Sequence, residues 1–438
     1  MHIFKSINTI NQNSSAFEKI YITIFIWMLA SCVFYPHGVE HARYAMIGLI
    51  LIFFIRKKSE LKNLCKSDSF LALLSFFTVA LLSLLLNPAP LSRIDEVTNW
   101  IVIFISGYVA SAITHDKNFR FILVIPIALL GAVIIYPVLS GAGGIHLDIF
   151  SPNRLTLYFH QRANHLGLIC GAFAFALSYI GARSSGKIRA LYFFLSCVCF
   201  FLLFRTSARA SFLGTVVVFS GWLLWKSLKM RKRTIFLFII SAICATTLLL
   251  CSPLKNNRII SSATTGITHD ISFLQRFFTW NVAYTNFIER PIIGWGFDTF
   301  GEQYAEEMKK YKNDQEYQKK FPHTIPTTNN AHNFFLQFLA ETGIAGLCAM
   351  LVFWATVVRR GFQGGNVISP AVAGMYLISL IAFQMNMSMY GLQISTILFA
   401  FAGLSSYPAE NEFSLDYAIH RQGSAGSPTP KHFAGSLD

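Results

Sequence analysis

Long apolar runs alternate with short polar stretches along most of the chain. An α-helix needs roughly 17–25 residues to cross about 30 Å of hydrocarbon, and the runs have about this length. The strands of a β-barrel would instead alternate apolar and polar residues. The pattern therefore predicts an all-α polytopic membrane protein with about twelve transmembrane helices, near residues 20–36, 38–55, 69–87, 94–113, 120–140, 164–182, 189–204, 211–225, 234–252, 339–358, 369–388 and 391–406.

The composition excludes other classes of protein. Of the 438 residues, 54% are apolar and 13% are charged, whereas a soluble domain carries about 25% charged residues. A water-soluble enzyme and a largely disordered chain are both excluded. The eight cysteines lie mostly in predicted spans or on the predicted inner side. They form neither a disulfide framework nor a zinc pattern, so we expect no metal and no other cofactor.

The net charge of +15 has a membrane explanation, because lysine and arginine accumulate in cytoplasmic loops. With the N-terminus inside, the two ends and the short inner loops hold 21 lysines and arginines, against 6 in the short outer loops. Both termini are therefore expected in the cytoplasm, and no nucleic acid partner is expected. The first apolar run lacks a small-residue cleavage site and is interpreted as an uncleaved anchor.

Four parts follow from these spans. Residues 1–252 would hold nine helices and an outer loop at 141–163, and residues 253–338 would form a large outer loop. Residues 339–406 would hold the last three helices, and 407–438 a cytoplasmic tail whose Gly, Ser and Pro content predicts disorder. The large loop has helical patterns near 271–290 and 300–320. Its aromatic residues at helical spacing predict a helix on the membrane surface; they are Phe277, Phe278, Trp280, Tyr284 and Phe287.

Three arginines at the edges of the apolar runs are the first candidates for chemistry. Arg205 and Arg209 lie in FRTSARASFLG, and in a continuous helix they would share one face. The ordinary interpretation of Arg205 is snorkelling to the interface, whereas small residues around Arg209 leave room for a ligand. Arg276 begins the amphipathic stretch RFFTWNVAYTNF and is ordinarily a solvated charge. The functional alternative is that these guanidiniums converge on a phosphate, which they bind bidentately.

His332 ends the large loop, immediately before an amphipathic stretch. A lone histidine at a helix start is ordinarily a cap or a filler. Here it lies at the entrance to a span and close to the arginine candidates. An imidazole accepts a proton near neutral pH, so a catalytic base is the functional alternative.

Two further segments have simple interpretations. The G-x-G in PIIGWGFDTF (291–300) lacks the strand and the third glycine of a dinucleotide-binding motif. It predicts a turn in which the glycines adopt positive φ. The lysine-rich segment 308–321 is most simply a solvated helix, and its functional alternative is attraction of an anionic acceptor.

Three segments together resemble a known family. They are SARASFLG around Arg209, RFFTWNVAYTNFIERPIIGWGFDTF from Arg276, and AHNFFLQFLAETGIAGL around His332. In order and spacing they resemble the O-antigen ligase family, whose superfamily includes O-antigen polymerases and protein O-oligosaccharyltransferases. NRLTLYFHQRANHLG (153–167) is similar to the family's earlier outer-loop motif. Ala210 departs from the pattern, since many members have glycine there.

The resemblance implies a GT-C-like glycosyltransferase with a periplasmic active site in the bacterial inner membrane. It would transfer O-antigen glycan from undecaprenyl pyrophosphate to the lipid A–core of lipopolysaccharide, in an inverting and metal-independent reaction. The resemblance gives His332 the role of base and Arg209 and Arg276 that of binding the pyrophosphate. The substrate-binding candidates beside them are Arg205, Arg154, Arg162 and Asn164.

Three alternatives remain at this stage. An O-antigen polymerase would use the same chemistry on another acceptor, and the lysine-rich segment favours the ligase because lipid A–core is phosphorylated. A flippase or transporter for the same lipid would predict charged residues inside the spans and internal repeats, and the sequence displays neither. A non-catalytic membrane scaffold would have no use for the ordered arginines and histidine.

Overall fold

The computed structural model describes residues 15–34, 36–87, 93–114, 120–140, 163–227, 271–320, 328, 330–363, 368–384 and 392–408. Within these ranges every regular element is helical, which confirms the all-α class. The α-helices are α1 (Ala16–Phe34), α2 (Pro36–Arg56), α3 (Lys58–Cys65), α4 (Asp68–Leu85), α5 (Ile94–Thr114), α6 (Val124–Ser140), α7 (Ala163–Gly181), α8 (Gly186–Thr206), α9 (Arg209–Ser227), α10 (Ile271–Glu289), α11 (Phe300–Asn313), α12 (Gln315–Lys320), α13 (Phe334–Phe362), α14 (Ser369–Phe383) and α15 (Leu392–Ser406).

The helices agree with a multi-pass membrane protein. In the described part of the chain, 7 helices are long and apolar enough to cross a membrane: α1, α2, α4, α5, α7, α8 and α13. Shorter apolar helices at Arg120–Ala132, Arg209–Trp225, Ser369–Phe383 and Leu392–Ser406 coincide with four more predicted spans. The predicted span 234–252 lies outside the described residues. The expected number of twelve therefore stays a prediction.

Helix ends follow local chemistry. Pro370 stands in the first turn of α14, where its missing N–H leaves no helical hydrogen bond unmade. In α11, Glu302 lies in the first turn and Lys310 and Lys312 in the last. This charge order complements the helix dipole. The helical stretches that the sequence predicts in the large loop, near 271–290 and 300–320, are confirmed as α10, α11 and α12.

An aromatic core surrounds Trp100 of α5. Its ring stacks on Phe399 of α15 at 4.9 Å and on Phe76 of α4 at 6.0 Å. Phe297, from the loop after α10, meets Trp100 edge-on at 5.6 Å and is fully buried. The large loop is therefore part of the same hydrophobic core as the bundle.

Hydrogen bonds distinguish the two ends of the bundle. At one end Arg360 of α13 donates to the carbonyl of Ser406 at the end of α15, at 2.8 Å. At the other end Ser83, near the end of α4, donates to the carbonyl of Ile293 at 2.6 Å. We call this second end, where the loop after α10 docks and α13 begins, the loop end.

Candidate functional site

Arg205 and Arg209 flank a break between two helices. α8 ends at Thr206, and the next residue, Ser207, adopts a left-handed φ of 53°. Arg209 begins α9. The two arginines therefore lie on different helices, at the interruption between the predicted spans 189–204 and 211–225, and not on one face of a continuous helix. Arg205 is 2% exposed and Arg209 is half-buried. The first turn of α9 places the positive end of its helix dipole beside Arg209.

The small residues around Arg209 have a packing role. A Cβ atom on Gly167 of α7 would overlap Ala208 and would lie 2.7 Å from Oγ1 of Thr206. Gly167 and Gly171 form a G-x-x-x-G pair, and Gly171 meets the hydroxyl of Thr215. Such pairs allow close helix approach in membranes. The sequence already contains this signal, which connects α7 to the turn that presents both arginines.

The earlier outer-loop motif is described only at its end. Asn164 lies half-buried in the first turn of α7, one turn before Gly167. It therefore belongs to the same end of α7 as the α8–α9 turn. Arg154 and Arg162 lie outside the described residues.

A shared hydroxyl brings Arg276 close to the histidine segment. The Thr279 hydroxyl donates to the carbonyl of Arg276 at 2.8 Å. The same Oγ1 lies 3.5 Å from the carbonyl oxygen of Ala331, the residue that precedes His332. Arg276 itself is half-buried on α10. The helix that carries Arg276 and the segment that carries His332 are thus in contact at Thr279.

The two faces of α10 differ. Phe278 packs inward with Val282 and Ala283 against Ala331 and Ala340. The sequence analysis expected the aromatic residues of this helix at the membrane surface. That expectation is wrong for Phe278, which lies in the hydrophobic core. Phe277 and Tyr284 are exposed instead.

His332 is held by its neighbours in an uncommon conformation. Its φ is 52°, in the left-handed region that costs a non-glycine residue about 1–2 kcal/mol. Its N–H donates to Oδ1 of Asn330 at 3.2 Å, and its Nε2 lies 3.5 Å from the Thr328 hydroxyl. Asn333, rather than His332, caps α13, because its Oδ1 accepts the N–H of Leu336 at 3.1 Å. The capping interpretation of His332 is therefore wrong.

The loop 291–300 fits into a break in α13. Gly343 has non-helical φ and ψ of 63° and −166°, which interrupts the helical hydrogen bonds. The N–H groups of Trp295 and Gly296 donate to the carbonyls of Ala340 and Glu341 at 3.0 and 2.8 Å. In return, the N–H groups of Ile344 and Ala345 donate to the carbonyls of the loop residues 291 and 292 at 2.9 and 3.1 Å. The backbone groups at the break thus find partners within the protein, as a membrane requires.

The G-x-G turn is confirmed in its conformation. Gly294 and Gly296 have φ of 64° and 117°. The turn also has a docking role that the sequence pattern did not indicate. A Cβ on Gly294 would overlap the backbone of Glu341, and a Cβ on Gly343 would overlap that of Ile292.

Glu341 and Gln337 are buried polar residues that the sequence analysis missed. Glu341 is 0% and Gln337 3% exposed. The Glu341 carboxylate accepts the N–H groups of Asp298 and Phe300 at 3.1 and 3.4 Å. An acid inside an apolar stretch, here AETG in the predicted span 339–358, was the available signal. The expectation of no charged residue inside the spans is corrected here.

An arginine and two acids connect α5 to the large loop. Arg93 donates to the carbonyl of Asp298 and to Glu302, and its Nη1 lies 3.6 Å from Oδ2 of Asp298. Burial raises the pKa of Asp298 above its ordinary value; Glu302 adds to this effect and Arg93 opposes it. The large loop is thus tied electrostatically to the bundle at the loop end.

The lysine-rich segment behaves as a solvated helix. Lys309 pairs with Glu306 at 2.7 Å and Lys310 with Glu307 at 2.9 Å. These i,i+3 pairs offset part of the positive charge and lower the pKa of Glu306. The structure therefore favours the simpler interpretation of residues 308–321.

The end of α14 packs against both α9 and the start of α13. Phe383, at its end, stacks on Phe334 at the start of α13, with ring centroids 6.2 Å apart. A Cβ on Gly214 of α9 would lie 3.3 Å from Cβ of Ile381. The end of α14 therefore lies between the helix that begins at Arg209 and the helix that follows His332.

Among the described residues, no group of three or more His, Cys, Asp or Glu side chains is arranged to hold a metal ion. The described site candidates, Arg205, Arg209, Arg276, Asn164 and His332, carry guanidinium, amide and imidazole groups. Such an arrangement suits an anionic substrate.

Comparison with known proteins agrees with this chemistry. A family model described as O-antigen ligase matches residues 191–351, which contain Arg205, Arg209, Arg276 and His332. A comparison with curated proteins finds no match. The family match supports an enzyme that acts on O-antigen, of the ligase or polymerase type, in lipopolysaccharide biosynthesis. It confirms the resemblance of the three sequence segments, because residues 191–351 of this chain match the model of the O-antigen ligase family.

Proposed function

We propose that the protein is an O-antigen ligase. It transfers O-antigen glycan from undecaprenyl pyrophosphate to a sugar of the lipid A–core of lipopolysaccharide. It is a GT-C-like protein of about twelve spans in the bacterial inner membrane, with both termini in the cytoplasm. The loop end faces the periplasm, where both substrates are presented.

The arginines bind the leaving group in this proposal. Arg209 and Arg276 hold the pyrophosphate, and fixed cations in a site with little water stabilise the charge that develops on it. A guanidinium donates two parallel hydrogen bonds to two phosphate oxygens, which an ammonium group does not. The first turn of α9 adds N–H groups that bind anions well.

His332 is the base. Its imidazole takes the proton of the acceptor hydroxyl while the hydroxyl oxygen attacks the anomeric carbon of the donor. The bond between that carbon and the pyrophosphate oxygen breaks, and the leaving pyrophosphate takes the electron pair. One displacement inverts the anomeric centre, and no metal is required.

The observation that carries this proposal is the junction at Thr279. Its hydroxyl lies within hydrogen-bonding distance of the carbonyls of Arg276 and of Ala331. The helix that carries Arg276, the cation for the donor, therefore contacts the segment that carries His332, the base for the acceptor, although 56 residues separate the two in the numbering of the chain.

The remaining candidates are supporting groups. Arg205 and Asn164, near the same turn, assist Arg209 in holding the donor. Arg154 and Arg162 belong to the earlier outer-loop motif and are assigned to the donor's glycan or phosphate by the family resemblance.

Reconstitution tests the function. Purified protein with a lipid-linked glycan and rough lipopolysaccharide is expected to yield a ladder of glycan-bearing lipopolysaccharide. Transfer solely between two carrier-linked glycans would identify a polymerase instead. Movement of the lipid-linked glycan across a vesicle membrane without any transfer would identify a transporter.

The base is tested by His332→Ala. This variant is expected to lose transfer while remaining in the membrane at normal abundance. His41→Ala is the control, because His41 is exposed on α2. Activity retained by His332→Ala would refute the role of the imidazole.

A further inference from the structure

We infer that Gln337 and Glu341 are positioning residues for His332, acting through a buried chain of hydrogen bonds. The inference deepens the proposed function and rests on it for the role of the histidine. Neither side chain is assigned to touch the substrate. Their part is to orient the peptide that presents the imidazole.

The chain has three links. The N–H of Ala331 donates to Oε1 of Gln337 at 3.3 Å. The Nε2 of Gln337 donates to Oε1 of Glu341 at 3.0 Å. The Glu341 carboxylate then accepts the N–H groups of Asp298 and Phe300. The peptide before His332 is thereby connected to the docked loop 291–300.

The spacing of these residues follows from the helix. Gln337 and Glu341 are four residues apart on α13, so both side chains lie on one face and stack one turn above the other. That face is covered by the loop, and both residues are buried. A buried carboxylate is stable where several N–H groups donate to it, as here.

His332 needs such support because its own backbone conformation is unfavourable. Its left-handed φ of 52° persists where the surroundings determine it. Hydrogen bonds on both sides do so: the Gln337 amide holds the peptide before the histidine, and Asn333 caps the helix after it. Loss of the hydrogen bond from Ala331 to Gln337 leaves the helix cap at Asn333 intact. The orientation of the His332 imidazole is then no longer fixed.

The test uses three variants. Gln337→Leu removes both hydrogen bonds of the amide. Gln337→Glu places two buried carboxylates side by side and removes a donor. The double variant Gln337→Glu/Glu341→Gln restores both links with the direction of the second one reversed, because the new carboxylate at 337 accepts from the Ala331 N–H and from the new amide at 341.

Ser83→Ala is the matched control. The Ser83 hydroxyl donates to the main-chain oxygens of Ile293 and Glu341 at 2.6 and 2.9 Å. The control therefore removes the buried hydrogen bonds of this hydroxyl at the same junction. It leaves the hydrogen bonds of the Gln337 and Glu341 side chains in place. It reports the effect of weaker docking alone.

Two measurements on the full-length protein are compared. In the transfer assay, Gln337→Leu and Gln337→Glu are expected to lower kcat on the order of 100-fold with KM unchanged, since misplacing a reacting group by about 1 Å has this effect. The double variant is expected to regain most of the loss, and Ser83→Ala to stay near the wild type. In hydrogen exchange, the Ala331 amide is expected to exchange about tenfold faster in Gln337→Leu, and at the wild-type rate in Ser83→Ala.

The outcomes separate the two proposals. A wild-type protein that transfers no glycan would refute the proposed function, and the exchange rate of the Ala331 amide would still decide the hydrogen-bond chain. Unchanged exchange in Gln337→Leu, or a double variant no better than Gln337→Glu, would overturn the positioning inference. An equal fall of kcat in Ser83→Ala would overturn it too, because the effect would then be general loosening of the loop.

Discussion

Three residues other than glycine adopt positive φ in the part of the chain that the structure describes: Ser207, Asp298 and His332. Ser207 separates the candidate arginines, Asp298 lies in the docked loop, and His332 is the candidate base. Such conformations cost about 1–3 kcal/mol each and cluster at functional sites. Their concentration around the candidate site is independent of the family resemblance and agrees with it.

At this scale, Arg209→Lys is expected to reduce transfer by about 10- to 100-fold, because the variant keeps the charge and loses the fork that binds two oxygens. The measurement is kcat/KM for the lipid-linked donor. Arg183→Lys is the control, since Arg183 follows α7 at the other end of the bundle and stacks on Tyr179 at 4.7 Å. A wild-type rate for Arg209→Lys would contradict bidentate binding of the pyrophosphate by Arg209.

Asp298 permits a prediction of pH dependence. Burial raises the pKa of its carboxyl in the folded protein, so ionisation disfavours folding. The penalty is absent below the unfolded pKa of about 3.9 and complete above the raised folded pKa. Asp298→Asn, which tolerates the left-handed conformation, is expected to match or exceed the wild-type Tm at pH 7. This advantage is expected to shrink as the pH falls through the folded pKa toward the unfolded one; an advantage that grows toward acid would contradict the assignment.

At the scale of elements, the apolar runs were sufficient to predict the helices, since a run of about 20 apolar residues has few other solutions in a membrane. The end of α8 was predicted to within two residues, but the packing of the α8–α9 turn and the break in α13 were not predicted. Both depend on contacts between distant segments: the α8–α9 turn packs on Gly167, and Gly343 meets the loop at Ile292. A periodicity analysis sees neither contact. Gln337 was missed for the same reason, because its partners are revealed only when the loop docks.

Gly343→Ala is expected to destabilise the protein and to abolish transfer. The new Cβ would overlap the Ile292 backbone, and alanine is strained at φ of 63°. Gly48→Ala is the matched control, since a Cβ there meets nothing within 4 Å. Thermal unfolding and transfer are measured on both variants; equal Tm values would show that the break is not a requirement of the fold.

Gly167→Ala is expected to displace the α8–α9 turn, because its Cβ overlaps Ala208. The expected result is a rise in KM for the donor as Arg209 moves. Ala208→Gly in the same chain removes the overlapping methyl group and is expected to restore part of the affinity. A double variant as weak as the single one would mean that the two helices do not press on each other at this point.

At the scale of the whole molecule, the charge bias and the site agree on one orientation. The basic residues Arg56, Lys57, Lys58, Lys62 and Lys66 lie between α2 and α4, at the end where Arg360 meets Ser406. The loop end is opposite. The positive-inside rule then predicts that the candidate site faces outward.

The orientation is tested with single cysteines in a variant whose native cysteines are replaced. An impermeant maleimide is expected to label Lys312→Cys in cells whose outer membrane alone is permeable. It is expected to label Ser185→Cys, in the exposed turn before α8, after the inner membrane is opened. The reverse pattern would place the site in the cytoplasm.

The backbone hydrogen bonds that join the loop 291–300 to the break in α13 have a mechanical consequence. Four such bonds on one junction make the first turns of that helix and the loop a single unit, so neither tilts without the other. We therefore expect any displacement of the docked loop to move the start of α13, and with it the segment that carries His332.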